Sequence, residues 1–213
     1  MNNLIILLSL GIASVIFLVI IRKKGNKSEV LSFLSTMIAT LFGVLLAITL
    51  SNSASHKKEI SDTIKLLKSA NNIIHGTYDY TTGLEKYINK LEKDSIHYND
   101  SLLLVLKEHN PIPYPYLMET IISNELIAKN LSEFSHNQIY NSLINLRKVS
   151  NYKTIGTYKR FLKETSLLIE LEVQYQEGDL DLETLIDKYN SGSKELAIKY
   201  PPLDKSEINI EEN

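Results

Sequence analysis

The chain has no cysteine and no tryptophan in 213 residues. Without thiols, a disulfide framework, a thiolate metal site and a cysteine nucleophile are all excluded. Charge is also missing, but only locally. Residues 1–51 hold five charged side chains, Arg22, Lys23, Lys24, Lys27 and Glu29. The other 19 basic and 24 acidic residues fall in 52–213, a net charge of −5. That acidic balance speaks against nucleic acid as a partner, because phosphate backbones select a basic face. Strand-like alternation, internal repeats and Gly-rich phosphate loops are lacking. So are G-x-S-x-G, H-E-x-x-H and Walker A patterns, and no histidine follows Arg147 or Arg160 within eight residues. The expectation is therefore no enzyme, no cofactor and no small-molecule substrate. Richness in Ile, Lys and Asn without Trp has the colour of an AT-rich bacterial genome.

What is present in place of charge is a pair of long apolar runs. Residues 4–21 (LIILLSLGIASVIFLVII) and 30–50 (VLSFLSTMIATLFGVLLAITL) contain no ionisable side chain. At ~1.5 Å rise per residue the second reaches about 31 Å, the thickness of a bilayer's hydrocarbon core. A cleaved signal peptide requires a basic start and a small-residue cleavage site, but the chain begins MNN and the first run ends VIIRKK. Two retained spans joined by residues 22–29 read as a transmembrane hairpin occupying 1–51. The expected partner is the lipid bilayer, and the expected location is the bacterial cytoplasmic membrane.

Arg22, Lys23, Lys24 and Lys27 crowd the connection, while no Lys or Arg precedes the first run. Short basic loops stay in the cytoplasm, so these four residues set the topology and place residues 52–213 outside it. Lys57, Lys58, Lys65 and Lys68 cast the opposing vote, from farther along the chain.

Within the second run Ser35, Ala39, Gly43, Ala47 and Ser51 recur at every fourth position. Residues four apart share a helix face, and small side chains let backbones approach closely in lipid. Ser9 and Ala13 offer a shorter matching stripe. The stripe serves packing within the hairpin or self-association, and Thr36 and Thr40 beside it offer hydroxyls for either. No charge lies inside a span, which speaks against a proton relay.

From 52 to 200 the apolar pattern predicts a helical soluble domain, an up-and-down bundle continuing from the hairpin. Ile60, Ile64, Leu67, Asn71, Ile74, Tyr78 and Thr81 alternate steps of four and three. The series resumes at Leu84, Ile88, Leu91, Ser95, Tyr98, Leu102 and Val105. One long amphipathic helix or two stacked ones result, coiled-coil-like but uneven, with a kink expected near Gly76 and Gly83. SLLLVL (101–106) is expected to be deeply buried. Pro111 and Pro113 end this helix and Pro115 enters the next, a rigid turn rather than a polyproline ligand. Further helices are predicted at about 115–133, 136–150, 156–177 and 180–189. Ser135 and Gln138 have capping-box spacing, and Gly178 marks a stop. Residues 201–213 form an acidic tail expected to be flexible.

Two acid-x-x-His steps, Asp94–His97 and Glu133–His136, resemble half of a di-metal carboxylate site, with Glu164, Glu170 or Glu172 as nominal further ligands. Such steps arise by chance at this composition, and Ser135 as a cap separates Glu133 from His136, so no metal is expected. His75 and Asp79, at i and i+4, have the spacing of an acid/base pair, but with no nucleophile or oxyanion motif beside them a surface or interhelical hydrogen bond is the expectation. The reading that results is a membrane-anchored helical interaction or sensor module with a protein partner or self-association. The alternative is an oligomeric two-span effector or channel of the defence or toxin type, gated by the helical domain.

Overall fold

The computed structural model describes residues 29–93 and 99–201, together with Ser9, Gly11, Ile12, Ile16 and Val19. Among them the regular structure is entirely helical. In chain order the helices are α1 (Glu29–Lys93), α2 (Asp100–His109), α3 (Tyr116–Ile122), α4 (Glu125–Asn130), α5 (Glu133–Lys148), α6 (Ile155–Glu177) and α7 (Leu182–Lys199). A 3-10 turn, Tyr152–Thr154, precedes α6. The chain divides into two compact units, Met1–Glu59 and Ile60–Asn213.

In the first unit, residues 30–50 of α1 are apolar and most of their large side chains are exposed. Met37, Leu41, Val44, Ile48 and Leu50 are each more than half exposed. By length and composition this helix is able to cross a membrane. The hydroxyls of Thr36, Thr40 and Thr49 donate to the carbonyls of Ser32, Thr36 and Leu45, at 3.0, 2.9 and 2.8 Å. Each is thereby satisfied within its own helix. Ser9, Gly11, Ile12, Ile16 and Val19 are helical too, and Gly11 is buried. A Cβ on Gly11 would run into the Phe42 ring, so the ring must shift to admit any larger residue there.

In the second unit, α1 buries Thr63, Leu67, Ala70, Ile74, Thr81, Leu84, Ile88 and Leu91. This is the expected 3–4 seam, with Thr63 and Ala70 taking the deepest positions beside Ile64 and Asn71. Each Leu or Ile removed from water contributes about 1.5–3 kcal/mol. The expected kink does not interrupt the helix, which runs through Gly76 and Gly83. α6 is the hub. It packs on α5 and α7, and buries Tyr158, Leu162, Leu168, Ile169, Leu171 and Val173.

Five expectations are corrected. The seam does not pass into α2, because Asn99 starts a new helix there, its side chain accepting from the Leu102 N–H at 2.9 Å. The helical phase is reset, so SLLLVL buries only Leu103 and leaves Leu102, Leu104 and Val105 exposed. Instead of one helix over 115–133 there are two, divided at Asn124, which caps α4 through Leu126 N–H. α5 starts at Glu133, capped by Ser132, rather than at Ser135. α7 continues to Lys199, ten residues past the expected end at 189. The prediction of a helix at 156–177 matches α6 closely. Its end is set by Gly178 at φ 85°, with Gly178 N–H on Tyr175 O and Asp179 N–H on Gln174 O.

Candidate functional site

The polar residues of the second unit gather where α1, α6 and α7 come together. Ser166 and Glu170 stand one turn apart on α6, and His75 faces them from α1. His75 Nε2 lies 3.2 Å from Ser166 Oγ and 3.5 Å from Glu170 Oε1. Ser166 Oγ is also 3.2 Å from Glu170 Oε1, which accepts in addition from Asn71 Nδ2 at 3.1 Å. Above this junction opens a cleft of about 410 Å³, walled by Leu167, Gly192 and Leu196 and rimmed by Lys163, Glu195 and Lys199.

The junction differs from a nucleophile–base–acid relay. There the hydroxyl and the carboxylate occupy opposite nitrogens of the imidazole. Here both meet Nε2, so they compete for one ring position, and Ser166 is only 3% exposed. The arrangement is suited to joining α1 to α6 and to presenting polar groups at the floor of the cleft.

α7 closes the opposite wall by an unusual route. Its segment Asn190–Ser193 has the composition of a loop, yet it is helical. A Cβ on Gly192 would lie 2.4 Å from Leu167 Cδ2, so the glycine lets α7 lie close against α6. One residue on, Ser193 Oγ donates to Glu164 Oε1 at 3.0 Å. Arg160 Nε lies 3.7 Å from the same oxygen. Burial raises the Glu164 carboxyl above its ordinary range, opposed by the Ser193 bond and by Arg160. Burial likewise pushes the neighbouring Tyr189 hydroxyl up to about 12, with the Glu164 charge adding to it.

The nominal metal ligands are therefore dispersed. Glu164 pairs with Ser193 and Arg160, and Glu170 belongs to the His75 junction. Glu172, fully buried, accepts from Ser132 and Gln176. Glu133 and His136 do share α5, contrary to the expectation that a cap divides them, and the His136 ring lies tilted against Tyr140, centroids 4.7 Å apart. Asp94 and His97 lie outside the described residues. Among the described residues no three His, Asp or Glu side chains stand close enough to hold a metal ion. His75 turns to Ser166 and Glu170, while Asp79 is exposed. The recurrence of polar Ser166 and Glu170 at i and i+4 was the available signal for this junction.

In the first unit Ala39, Gly43, Ala47 and Ser51 are exposed and Ser35 is half-buried. Among the described residues, a Cβ on Gly43 would meet nothing within 4 Å. The less exposed positions of this stretch, Ser35, Phe42, Leu46 and Thr49, form the adjoining face. Arg22, Lys23, Lys24 and Lys27 lie outside the described residues. No protein-family model matches this chain, and neither does any curated protein or any solved structure.

Proposed function

We propose that the protein is a membrane-anchored helical interaction module, held by an N-terminal hairpin and binding a protein partner through its second unit. The observation that carries the binding role is the apolar surface of α2. Leu102, Leu104 and Val105 are 42, 60 and 45% exposed on a ten-residue helix. Contiguous exposed apolar patches mark interaction surfaces. Anchoring is supported by the uncovered apolar stretch of α1, and a hairpin by the close approach of Gly11 to Phe42. The basic residues 22–27 favour an extracytoplasmic second unit.

The test is photo-crosslinking in cells from an unnatural residue at position 104, with position 148 as the exposed control, followed by mass spectrometry. A discrete adduct at 104 and none at 148 is expected. Equal background at both positions would remove the interaction reading. An alkaline phosphatase fusion after Asn213 is expected to be active; an inactive one would reverse the sidedness.

A second reading, self-association into an oligomeric effector or channel, is favoured by one observation. The small-residue face at Ala39, Gly43 and Ala47 stands open rather than facing Phe42 and Gly11. The threonine hydroxyls beside it already bond within α1, which weakens their use as a polar path. On this reading induced expression depolarises the membrane and Gly43→Leu abolishes the effect. Unchanged potential in a dye assay leaves the anchor reading.

A further inference from the structure

We propose that the cleft between α1, α6 and α7 binds a small zwitterion of the α-amino-acid or dipeptide class. Every residue lining it lies between 75 and 199, so the inference is independent of the membrane anchor. It rests on charges to which the fold gives no counter-ion among the described residues. Lys163 is half-buried, its ammonium 4.1 Å from the centroid of the Tyr78 ring, and it has no carboxylate partner among the described residues. Lys199 stands on the same rim, 5.7 Å from the Tyr200 ring and likewise unpaired. Glu195, one turn before Lys199, makes no ion pair among the described residues. Glu170 spends Oε1 on Asn71, Ser166 and His75, and among the described residues its second oxygen has no hydrogen-bond donor.

Two lysines and two glutamates thus line one cleft. A simple anion entering it meets Glu170 and Glu195, and a simple cation meets Lys163 and Lys199. A molecule carrying both signs a few ångströms apart meets a complement for each, and charge-assisted hydrogen bonds are the strong ones. The volume of about 410 Å³ falls in the range of small-molecule sites. Leu167 and Leu196 supply an apolar wall for a side chain, and the Ser166–His75 junction fixes the floor.

The experiment is calorimetric titration of the full-length, detergent-solubilised protein with L-leucine and L-alanyl-L-leucine at millimolar concentration. The controls are 4-methylpentanoate and 3-methylbutylamine, which keep the apolar group and one charge each. Saturable binding of at least one zwitterion is expected, with each single-charge control weaker by roughly tenfold or more, the equivalent of one lost ion contact. Lys163→Met and Glu195→Gln are each expected to weaken it similarly while the circular dichroism stays unchanged. Absence of saturable heat with both zwitterions would overturn the proposal. Equal binding of either single-charge control would overturn it as well.

Discussion

Glu172 of α6 reaches Ser132 at two atoms, accepting the Ser132 backbone N–H at 3.0 Å and its hydroxyl at 2.7 Å, across forty residues of chain. Ser132 in turn accepts the Ser135 N–H at 3.2 Å and so caps α5. In an ordinary capping box the acid that receives the cap's own N–H stands at the third helical position. Here Ser135 occupies that position and a fully buried acid from another helix does the work. Gln176 Nε2 supplies a third donor to Glu172 at 2.8 Å. Ser132→Ala is expected to lower stability by about 2–4 kcal/mol, beyond the ~1 kcal/mol of a typical cap, because a buried carboxylate loses a donor too. Urea unfolding followed by circular dichroism measures this; a loss near that of a solvent-exposed cap would show that Glu172 adds nothing.

The proline-containing connection between α2 and α3 is tied down from α6 and the turn before it. Tyr158, fully buried, donates its hydroxyl to Pro113 O, and Tyr152 donates to Asn110 O. Burial raises the Tyr158 hydroxyl far above the usual phenol range, so it remains a donor at any physiological pH. Tyr158→Phe keeps the ring and orphans a carbonyl. A loss of about 1–3 kcal/mol is expected, together with faster amide exchange around residues 110–115. Unchanged exchange there would separate the hydroxyl from the order of the connection.

Glu164 makes a pH prediction. Its carboxyl is raised above the ordinary value of 4.5, chiefly by burial. The folded chain therefore holds a proton at pH values where the unfolded chain has released it. The stabilisation is complete below the unfolded value and declines as pH rises through the folded one. Glu164→Gln is expected to flatten that decline in a series of melting temperatures across the mildly acidic range. A slope identical to the parent's would exclude Glu164 as the titrating group.

Gly178 ends α6 in the left-handed region, at φ 85°. A Cβ there would meet no neighbouring atom, so backbone strain is the whole cost of Gly178→Ala. About 1–2 kcal/mol is expected. Gly178→Asn should recover part of it, since Asn tolerates this conformation best among the other residues. Equal losses for Ala and Asn would point to a cause other than backbone conformation.

The C-terminal end of α6 was legible because its signal is local: Gly178 needs no partner to stop a helix. The seam of α1 was legible for the same reason, since 3–4 spacing over many turns specifies one buried face. The extent of α7 was not. Asn190, Ser191, Gly192 and Ser193 favour a turn by propensity, and only contact with Leu167 and Glu164 makes the helix continue through them. The buried state expected for SLLLVL failed for a related reason. Composition states that those residues are apolar, whereas the cap at Asn99 decides which way each one faces.

The candidate site divides along the same line. Sequence by itself determined the helical class, the absence of thiol chemistry and the apolar, uncharged stretch of α1, because each follows from residue type and period. It also marked His75, Glu164, Glu170 and Glu172 as residues of interest without assigning their partners. Tertiary structure alone decided those partners: Ser166 and Asn71 for the His75–Glu170 junction, Ser193 and Arg160 for Glu164, Ser132 for Glu172. A polar side chain's chemistry is local, but the hydrogen bond that directs it joins positions that only packing brings within 3 Å or so of each other.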